Sequence, residues 1–299
     1  MAGTLGSSTR LGAPRQEEVL MARPRQTTKR PTTKRRRKAR PRQPKRILNV
    51  RPSRKTEEDW TFDVAAEADL VTAAPRIPSS KDLRTDWWKI GDQGATGSCV
   101  GWATADSLLR WHFVKAGRLL TSQLLSPRFV WMASKETDQF VTRPTAFIET
   151  EGTSLKAALD VARKFGVVRD SVLPFASGKL YPRQANTFYA VAAQRKILAY
   201  FNLGTNLSNW RTWLATKGPI LTRLNVDETW DLASDNAGEL EEYKPETARG
   251  GHAVALVGYR AGAFVVRNSW GTGWGDKGFA YASLAYAQEA FTEAYGVEV

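Results

Sequence analysis

Three positions in this chain carry side chains that can share one reaction. Cys99 is the only cysteine in 299 residues. It stands where a small-residue stretch, Gln93-Gly94-Ala95-Thr96-Gly97-Ser98, gives way to a helical pattern with Trp102, Ala103, Leu109 and Phe113 on one face. A helix start offers unpaired backbone N–H groups and the positive end of the helix dipole. Both favour a thiolate, which is the nucleophile. His252 follows Gly250 and Gly251 at the entrance of an apolar run, where a general base has access and a fixed position. Asn268 closes the next apolar run, in Arg267-Asn268-Ser269-Trp270-Gly271. A lone cysteine is more often a small buried hydrophobe, so the chemistry depends on what brings the other two to it.

The elements that must do this are legible. Residues 253–259 and 264–268 read as strands joined in an antiparallel hairpin that turns near residues 260–263. Folding there puts position 268 near the level of position 252. Asn268 can then accept one ring N–H of His252, and Trp270 can shield that bond from water. The other histidine, His112, lies 13 residues after Cys99 on the same predicted helix. That is roughly 20 Å along the axis, so His112 is read as a packing or surface residue.

The spacing predicts a helix over residues 98–116. A second opens at Ser126-Pro127, with Ser at the cap and Pro at the first helical position. A third covers 154–165 and stops at Gly166. Residues 137–151 read as loop, a strand is expected within 189–203, and a short helix over 208–216. Strands follow at 220–226 and 279–281. Helices fill the first half and strands the second, which predicts an α+β fold with a helical lobe, about residues 93–200, facing a sheet lobe, about 201–299.

Charge divides the chain. Residues 1–55 carry 18 Lys/Arg and 2 Glu, whereas the remainder carries 26 basic and 28 acidic side chains. The first segment also has few large apolar groups, so residues 1–55 read as a disordered basic tail and 56–77 as a lead-in. The densest run, residues 34–40, lies within a stretch, 23–46, suited to a nucleic acid or another anionic surface. No aromatic is interleaved to stack on bases. No apolar run is long enough for a membrane span. No secretory signal pattern is seen, and one cysteine suits a reducing compartment, so the expected location is cytoplasmic, with nucleoid or nuclear association through the tail as a further option. Met21 is an alternative start.

Three ordered blocks together resemble the papain family of cysteine peptidases, over residues 78–299. Gln93-Gly-Ala-Thr-Gly-Ser-Cys99 matches that family's Gln-Gly-x-Cys-Gly-Ser-Cys block. Gly250-Gly251-His252-Ala253-Val254 and Asn268-Ser269-Trp270-Gly271 match its histidine and asparagine blocks. The resemblance implies a papain-like fold, with a helical lobe packed against an antiparallel, barrel-like sheet lobe and the cleft between them. It implies peptide-bond hydrolysis of a peptide or protein substrate, with Cys99 as nucleophile, His252 as general acid/base and Asn268 as orienter. The Gln93 side chain and the Cys99 N–H would form the oxyanion hole. Gly152, Thr153, Gly251, Ala253 and Trp270 would line the substrate cleft, and no metal or organic cofactor is called for. Departures exist. Thr96 stands where secreted members have a disulfide cysteine, Val100 replaces the usual aromatic residue, and no inhibitory propeptide of the secreted type is recognisable, all of which suits an intracellular or prokaryotic branch. Arg223 is read as solvent-facing. The other reading brings it to the pocket for the residue second before the scissile bond, favouring acidic or polar groups there. Two alternatives remain open on the sequence: acyl transfer to another acceptor by the same triad, and a nucleic-acid-associated protein in which the papain-like domain is a binding module.

Overall fold

The computed structural model describes residues 45–71, 77–137, 151–177 and 185–299, together with the isolated Gly12. The chain enters as an extended segment and turns at Lys55, whose φ is +53°. It then forms a short helix, α1 (Phe62–Glu67), capped by Thr61 Oγ1, which accepts from the Val64 N–H. Strand β1 (Lys81–Asp82) follows. Next comes one continuous helical rod made of α2 (Cys99–Thr104), a π-helical stretch (Ala105–Leu109) and α3 (Arg110–Lys115). Its span matches the predicted helix over 98–116, but the period is broken in the middle.

Helix α4 (Pro127–Thr137) begins as its sequence predicts, with Ser126 Oγ accepting the Phe129 N–H. Helix α5 (Leu155–Lys164) is capped by Ser154, and Gly166 ends it at φ +89°. Helix α6 (Ala185–Ala192) is followed by β2 (Ala199–Asn202), the strand expected within 189–203. The remaining elements are α7 (Leu207–Thr216), β3 (Ile220–Val226), α8 (Thr229–Leu232), β4 (Glu239–Leu240), β5 (Gly250–Arg260), β6 (Ala263–Arg267), β7 (Phe279–Ser283), α9 (Leu284–Ala290) and β8 (Phe291–Glu298). The loop expected over 137–151 lies mostly outside the described residues.

The strands form one sheet in the order β2-β8-β3-β5-β6-β7-β4, with β1 also on β5. Only the β4–β7 pair is parallel among these strands. The path is open, with β2 at one end and the two-residue β4 at the other, so the expected sheet or barrel-like lobe takes the form of an open sheet. The β5–β6 hairpin turns between Arg260 and Ala263, as predicted, and a bulge between Leu256 and Gly258 shifts its register.

Two apolar cores result. One gathers Val100, Leu108, Phe129, Leu155 and Leu159 from the helices with Leu221 and Tyr295 from the sheet. The other lies across the sheet under α7 and α9 and holds Trp210, Trp213, Trp230, Phe264 and Tyr286. Ala65 of α1 and Val71 are buried in this second core, and the Asn202 N–H donates to Trp60 O. The lead-in is therefore fastened to the sheet. Gln43–Val299 forms one compact unit.

A buried ionic cluster ties the helical rod to the sheet. Asp106, in the π-helical stretch, accepts from Arg267 Nη2 of β6 at 2.5 Å and from Arg110 Nη1 at 3.2 Å. The Arg267 guanidinium lies over the Trp88 ring and donates to the carbonyls of Trp88 and Lys89.

Candidate active site

Cys99 is the first residue of α2, and His252 lies on β5, against which α2 packs. The Ala253 backbone, one residue beyond His252, lies close enough to the cysteine thiol to favour its ionised form. His252 Nε2 sits 2.8 Å from Asn268 Oδ1, which also accepts the Ser269 N–H at 2.8 Å. His252 Nδ1 is buried and has no hydrogen-bond partner among the described residues.

Trp270 covers this pair, its ring 4.9 Å from the imidazole, and Trp230 meets the same imidazole edge-on at 5.5 Å. Trp274 stacks on Trp230 at 4.7 Å and donates its indole N–H to the Trp230 carbonyl. Nothing in the sequence singles out Trp230 or Trp274. Their only signal is aromatic density near His252, which a core explains equally well.

Gln93 is fully buried beside this group. Its Oε1 accepts from Ser269 Oγ at 2.9 Å, its Nε2 donates to Thr96 O at 2.9 Å, and its backbone N–H donates to Ser269 O. One amide hydrogen of Gln93 is thus left over. Thr96 Oγ1 donates to Gln93 O and lies 2.6 Å from Ser98 Oγ, so hydroxyls bridge the loop at a position where a disulfide was expected to be missing.

The cleft is not empty. Residues 46–53 lie across it as a strap. Asn49 pairs in parallel with Gly251, the Val50 N–H donates to Gly251 O at 3.1 Å, and the Arg51 N–H donates to Thr153 O at 3.0 Å. Both walls are bare backbone at the points of approach. A Cβ on Gly250, Gly152 or Gly251 would come within 2.3–2.5 Å of the carbonyl oxygens of Leu48, Asn49 and Val50 respectively. Gly152, Thr153 and Gly251 therefore form the trough, while Ala253 lies beneath it in the same apolar cluster as Val50 and Cys99.

The strap is clamped at both ends. Arg46 donates to Asp92 Oδ1 at 2.6 Å, to Gly94 O at 2.9 Å and to Trp270 O at 3.1 Å, and its guanidinium lies over the Trp270 ring. At the other end, the Ser53 N–H donates to Glu293 Oε1, Ser53 Oγ accepts the Lys156 N–H, and Lys156 Nζ pairs with Asp59 at 2.5 Å. By composition residues 45–55 belong to a disordered tail. In the structure Val50 is 4% exposed, and these residues belong to the folded unit. Most of the basic stretch 23–46 lies outside the described residues, but Arg46 is engaged with Asp92 rather than free for an anionic partner.

Under the strap, Cys99 and His252 have no exposed surface. Burial pushes the Cys99 thiol up to about 11, against backbone hydrogen bonds that lower it. Burial pushes His252 down to about 4; the Asn268 bond opposes this, and the charge on Arg46 adds to it. In this closed arrangement the proton stays on sulfur and the imidazole is neutral.

Two other expectations resolve. His112 is buried, faces Pro219 O at 3.5 Å, and is likewise held near 4 by burial. It is a packing residue. Arg223 does not face solvent. It is 9% exposed, sits 4.0 Å from Glu293, and donates to Thr292 Oγ1 and weakly to Val50 O. The strap and β8 cover it.

The model of the papain family cysteine proteases matches residues 77–295. Peptidase 1 of Psoroptes ovis is 27% identical over 245 residues, which is 75% of this chain and 66% of that protein. Cathepsin B-like CP3 of Giardia intestinalis is 25% identical over 233 residues, 73% of each. In fold, the chain superimposes on xylellain, a cysteine protease from Xylella fastidiosa, with a TM-score of 0.71 at 20% identity, covering 87% of this chain and 98% of that one. No helix among the described residues is long and apolar enough to cross a membrane.

Proposed function

Since the chain belongs to the papain family of cysteine proteases, we propose that it hydrolyses peptide bonds through Cys99, His252 and Asn268. The observation that carries this is the His252 ring: Nε2 is fixed on Asn268 Oδ1, and Nδ1 is left without a partner in the same buried site as Cys99. Once the strap lifts and water and substrate enter, His252 Nδ1 takes the thiol proton and the sulfur attacks the peptide carbonyl carbon. The carbonyl oxygen, now an oxyanion, receives the spare Gln93 amide hydrogen and the Cys99 backbone N–H. His252 returns the proton to the leaving amine as the C–N bond breaks, and a thioester to Cys99 remains. Water, deprotonated by His252, then releases the acid and restores the thiol. Gly152, Thr153 and Gly251 hold the peptide extended in the trough, and Trp270 keeps water off the His252–Asn268 bond.

The lone cysteine supports a reducing, cytoplasmic setting. Residues 23–44 supply a basic segment for an anionic partner, a role separate from the chemistry.

The test is alkylation of Cys99 by a small iodoacetamide probe from acid to base, for wild type and His252→Ala, alongside cleavage of quenched peptides. Labelling that persists below pH 7 and is lost in His252→Ala is expected. Labelling that rises only near an ordinary thiol value, about 8.5, unchanged by the substitution and without peptide cleavage, would reject the reading.

A further inference from the structure

The proposed chemistry leaves two buried charges in the cleft without a task. Arg223 on β3 and Glu293 on β8 are register partners across the β3–β8 pairing, next to the bulge between Arg223 and Leu224. Each side chain is 11% exposed. Yet they do not close into a tight pair, since Arg223 Nε lies 4.0 Å from Glu293 Oε1. A bidentate guanidinium–carboxylate pair would sit about 1 Å closer.

Arg223 Nη1 donates to Thr292 Oγ1 of β8 at 2.6 Å, and further contacts of the two side chains reach the strap. Arg223 Nε reaches Val50 O at 3.4 Å, and Glu293 Oε1 accepts the Ser53 N–H at 3.0 Å. Glu293 Oε2 is buried and has no hydrogen-bond partner among the described residues. The stretch they span runs from Val50, the buried residue of the strap, to Ser53. When a substrate replaces the strap, both charges lose these backbone partners and face the incoming peptide.

Two opposite charges at one spot nearly cancel. A lone buried guanidinium would draw in a carboxylate, and a lone carboxylate an ammonium or guanidinium. With both present, a charged substrate side chain gains from one and is repelled by the other, while still losing its hydration. A carboxamide has one acceptor and one donor group. It can accept from Arg223 and donate to Glu293 Oε2, so both buried groups are satisfied.

The geometry points to Arg223 and Glu293 as the specificity-determining pair of the cleft, selecting an uncharged residue, a carboxamide before others, at the peptide position that takes the place of Val50. Removing either member turns the site into one for the charge opposite to the survivor. This rests on the peptidase reading above for its consequence in catalysis, but not for its consequence in binding, and the test separates the two.

The first arm uses the full chain and quenched peptides with Gln, Leu, Glu or Lys placed at each position in turn. Wild type is expected to favour Gln at one position and to reject Glu and Lys there. Glu293→Gln should shift preference toward Glu by about tenfold or more in kcat/KM, corresponding to about 1.4 kcal/mol. Arg223→Met should shift it toward Lys by a similar factor. The double variant Arg223→Met/Glu293→Gln, which leaves no charge uncompensated, should show neither shift.

The second arm needs no catalysis, because the strap already occupies the site. Val50→Glu and Val50→Lys are introduced singly and together with Glu293→Gln or Arg223→Met, and thermal unfolding is measured. Val50→Glu should be tolerated better with Glu293→Gln than the single changes predict, and Val50→Lys better with Arg223→Met. Strict additivity in Tm would overturn the pair as the element facing that position. Non-additive Tm without any peptide cleavage would reject the peptidase reading and leave the pair standing. Cleavage with unchanged charge preference in both single variants would overturn the pair and leave the peptidase reading intact.

Discussion

The carboxamide oxygen of Asn268 receives two donors at once, His252 Nε2 and the Ser269 backbone N–H, each at 2.8 Å. A backbone N–H can only donate, which identifies the shared atom as the oxygen and not the amide nitrogen. It follows that Nε2 carries the ring proton and Nδ1 is the basic nitrogen. Asn268→Ala releases the ring, and kcat should fall about 100-fold, as expected for misplacement of a catalytic group, with little change in KM. Asn268→Asp should hold the ring but favour the imidazolium, moving the alkaline limb of the pH–rate profile upward. A kcat unchanged in Asn268→Ala would leave the residue a structural one.

Arg46 and Asp92 decide how firmly the strap is closed. The Arg46 guanidinium makes one carboxylate and two carbonyl bonds, all beside Gly94 and Trp270. Hydrogen bonds to a charged group contribute about 1.5–3 kcal/mol each, and every 1.4 kcal/mol is about a tenfold population change. Arg46→Ala is expected to raise the rate of Cys99 alkylation in the full chain by about tenfold or more, with no loss of fold by circular dichroism. In this variant α1 and Val71 still hold the chain beyond the strap in the sheet core, so release of the strap is expected to leave it tethered. Addition of a free peptide of residues 45–54 should slow the variant's labelling again. Equal rates in wild type and variant would show that the clamp does not control access.

Gly152 tests the trough from the opposite side. A methyl group there would lie 2.3 Å from Asn49 O, so Gly152→Ala must push out whatever extended chain lies against it. The strap and a substrate meet the same wall. The substitution should therefore speed labelling of Cys99 by a small probe while lowering kcat/KM for peptides, mainly through KM. Parallel changes in both readouts would argue against a shared path for strap and substrate.

The parts of this site that were legible in the sequence are those with local signals. A glycine-rich loop meeting an apolar helix places Cys99. Paired strands with a short turn place His252 and Asn268 together, and the bulge at Leu256–Gly258 changes the register without separating them. The strap was illegible because its composition is that of a disordered tail and its partners are remote: Arg46 binds residues 46, 48 and 224 positions away. A single buried apolar side chain, Val50, is too weak a pattern to announce a folded segment. Arg223 was read as solvent-facing because the elements that cover it, the strap and β8 with Glu293, had not been assigned. Helix α6 has no clear signal in the sequence, and its anchor is tertiary: Phe188 is buried against Phe129. Tertiary contacts, not local propensity, decide such segments.

Asp106 holds the helical rod to the sheet through two arginines. Arg267 and Arg110 are both buried, and Asp106 is the carboxylate that both contact. Asp106→Ala leaves two buried guanidinium groups uncompensated, and losing one partner of such a cluster costs about 3–5 kcal/mol. Urea denaturation should show a lower midpoint and an unfolding free energy reduced by that amount, and Asp106→Asn, which retains one acceptor, should lose less. Because the aspartate sits in the π-helical stretch just after α2, loosening it should also reduce the rate of Cys99 alkylation at a fixed pH in the Arg46→Ala background. An unchanged midpoint would mean that Trp88 and the backbone carbonyls alone hold Arg267.

Both histidines make stability depend on pH with the same sign. Burial lowers His252 and His112 to about 4 in the folded chain, against 6.5 for an ordinary histidine. Between these values the unfolded chain binds more protons than the folded one, so the stabilisation is complete above about pH 6.5 and is lost as pH falls toward 4. A displacement of this size is linked to about 3 kcal/mol for each ring as an upper figure. Unfolding free energy measured from pH 7.5 to 4 should fall for wild type and fall less steeply for His112→Gln. That substitution removes a titrating ring without touching Cys99 or Asn268. His252→Gln should flatten the curve over the same interval while also abolishing peptide cleavage. A wild-type curve that is flat between pH 6.5 and 5 would mean that burial holds neither ring neutral over that interval.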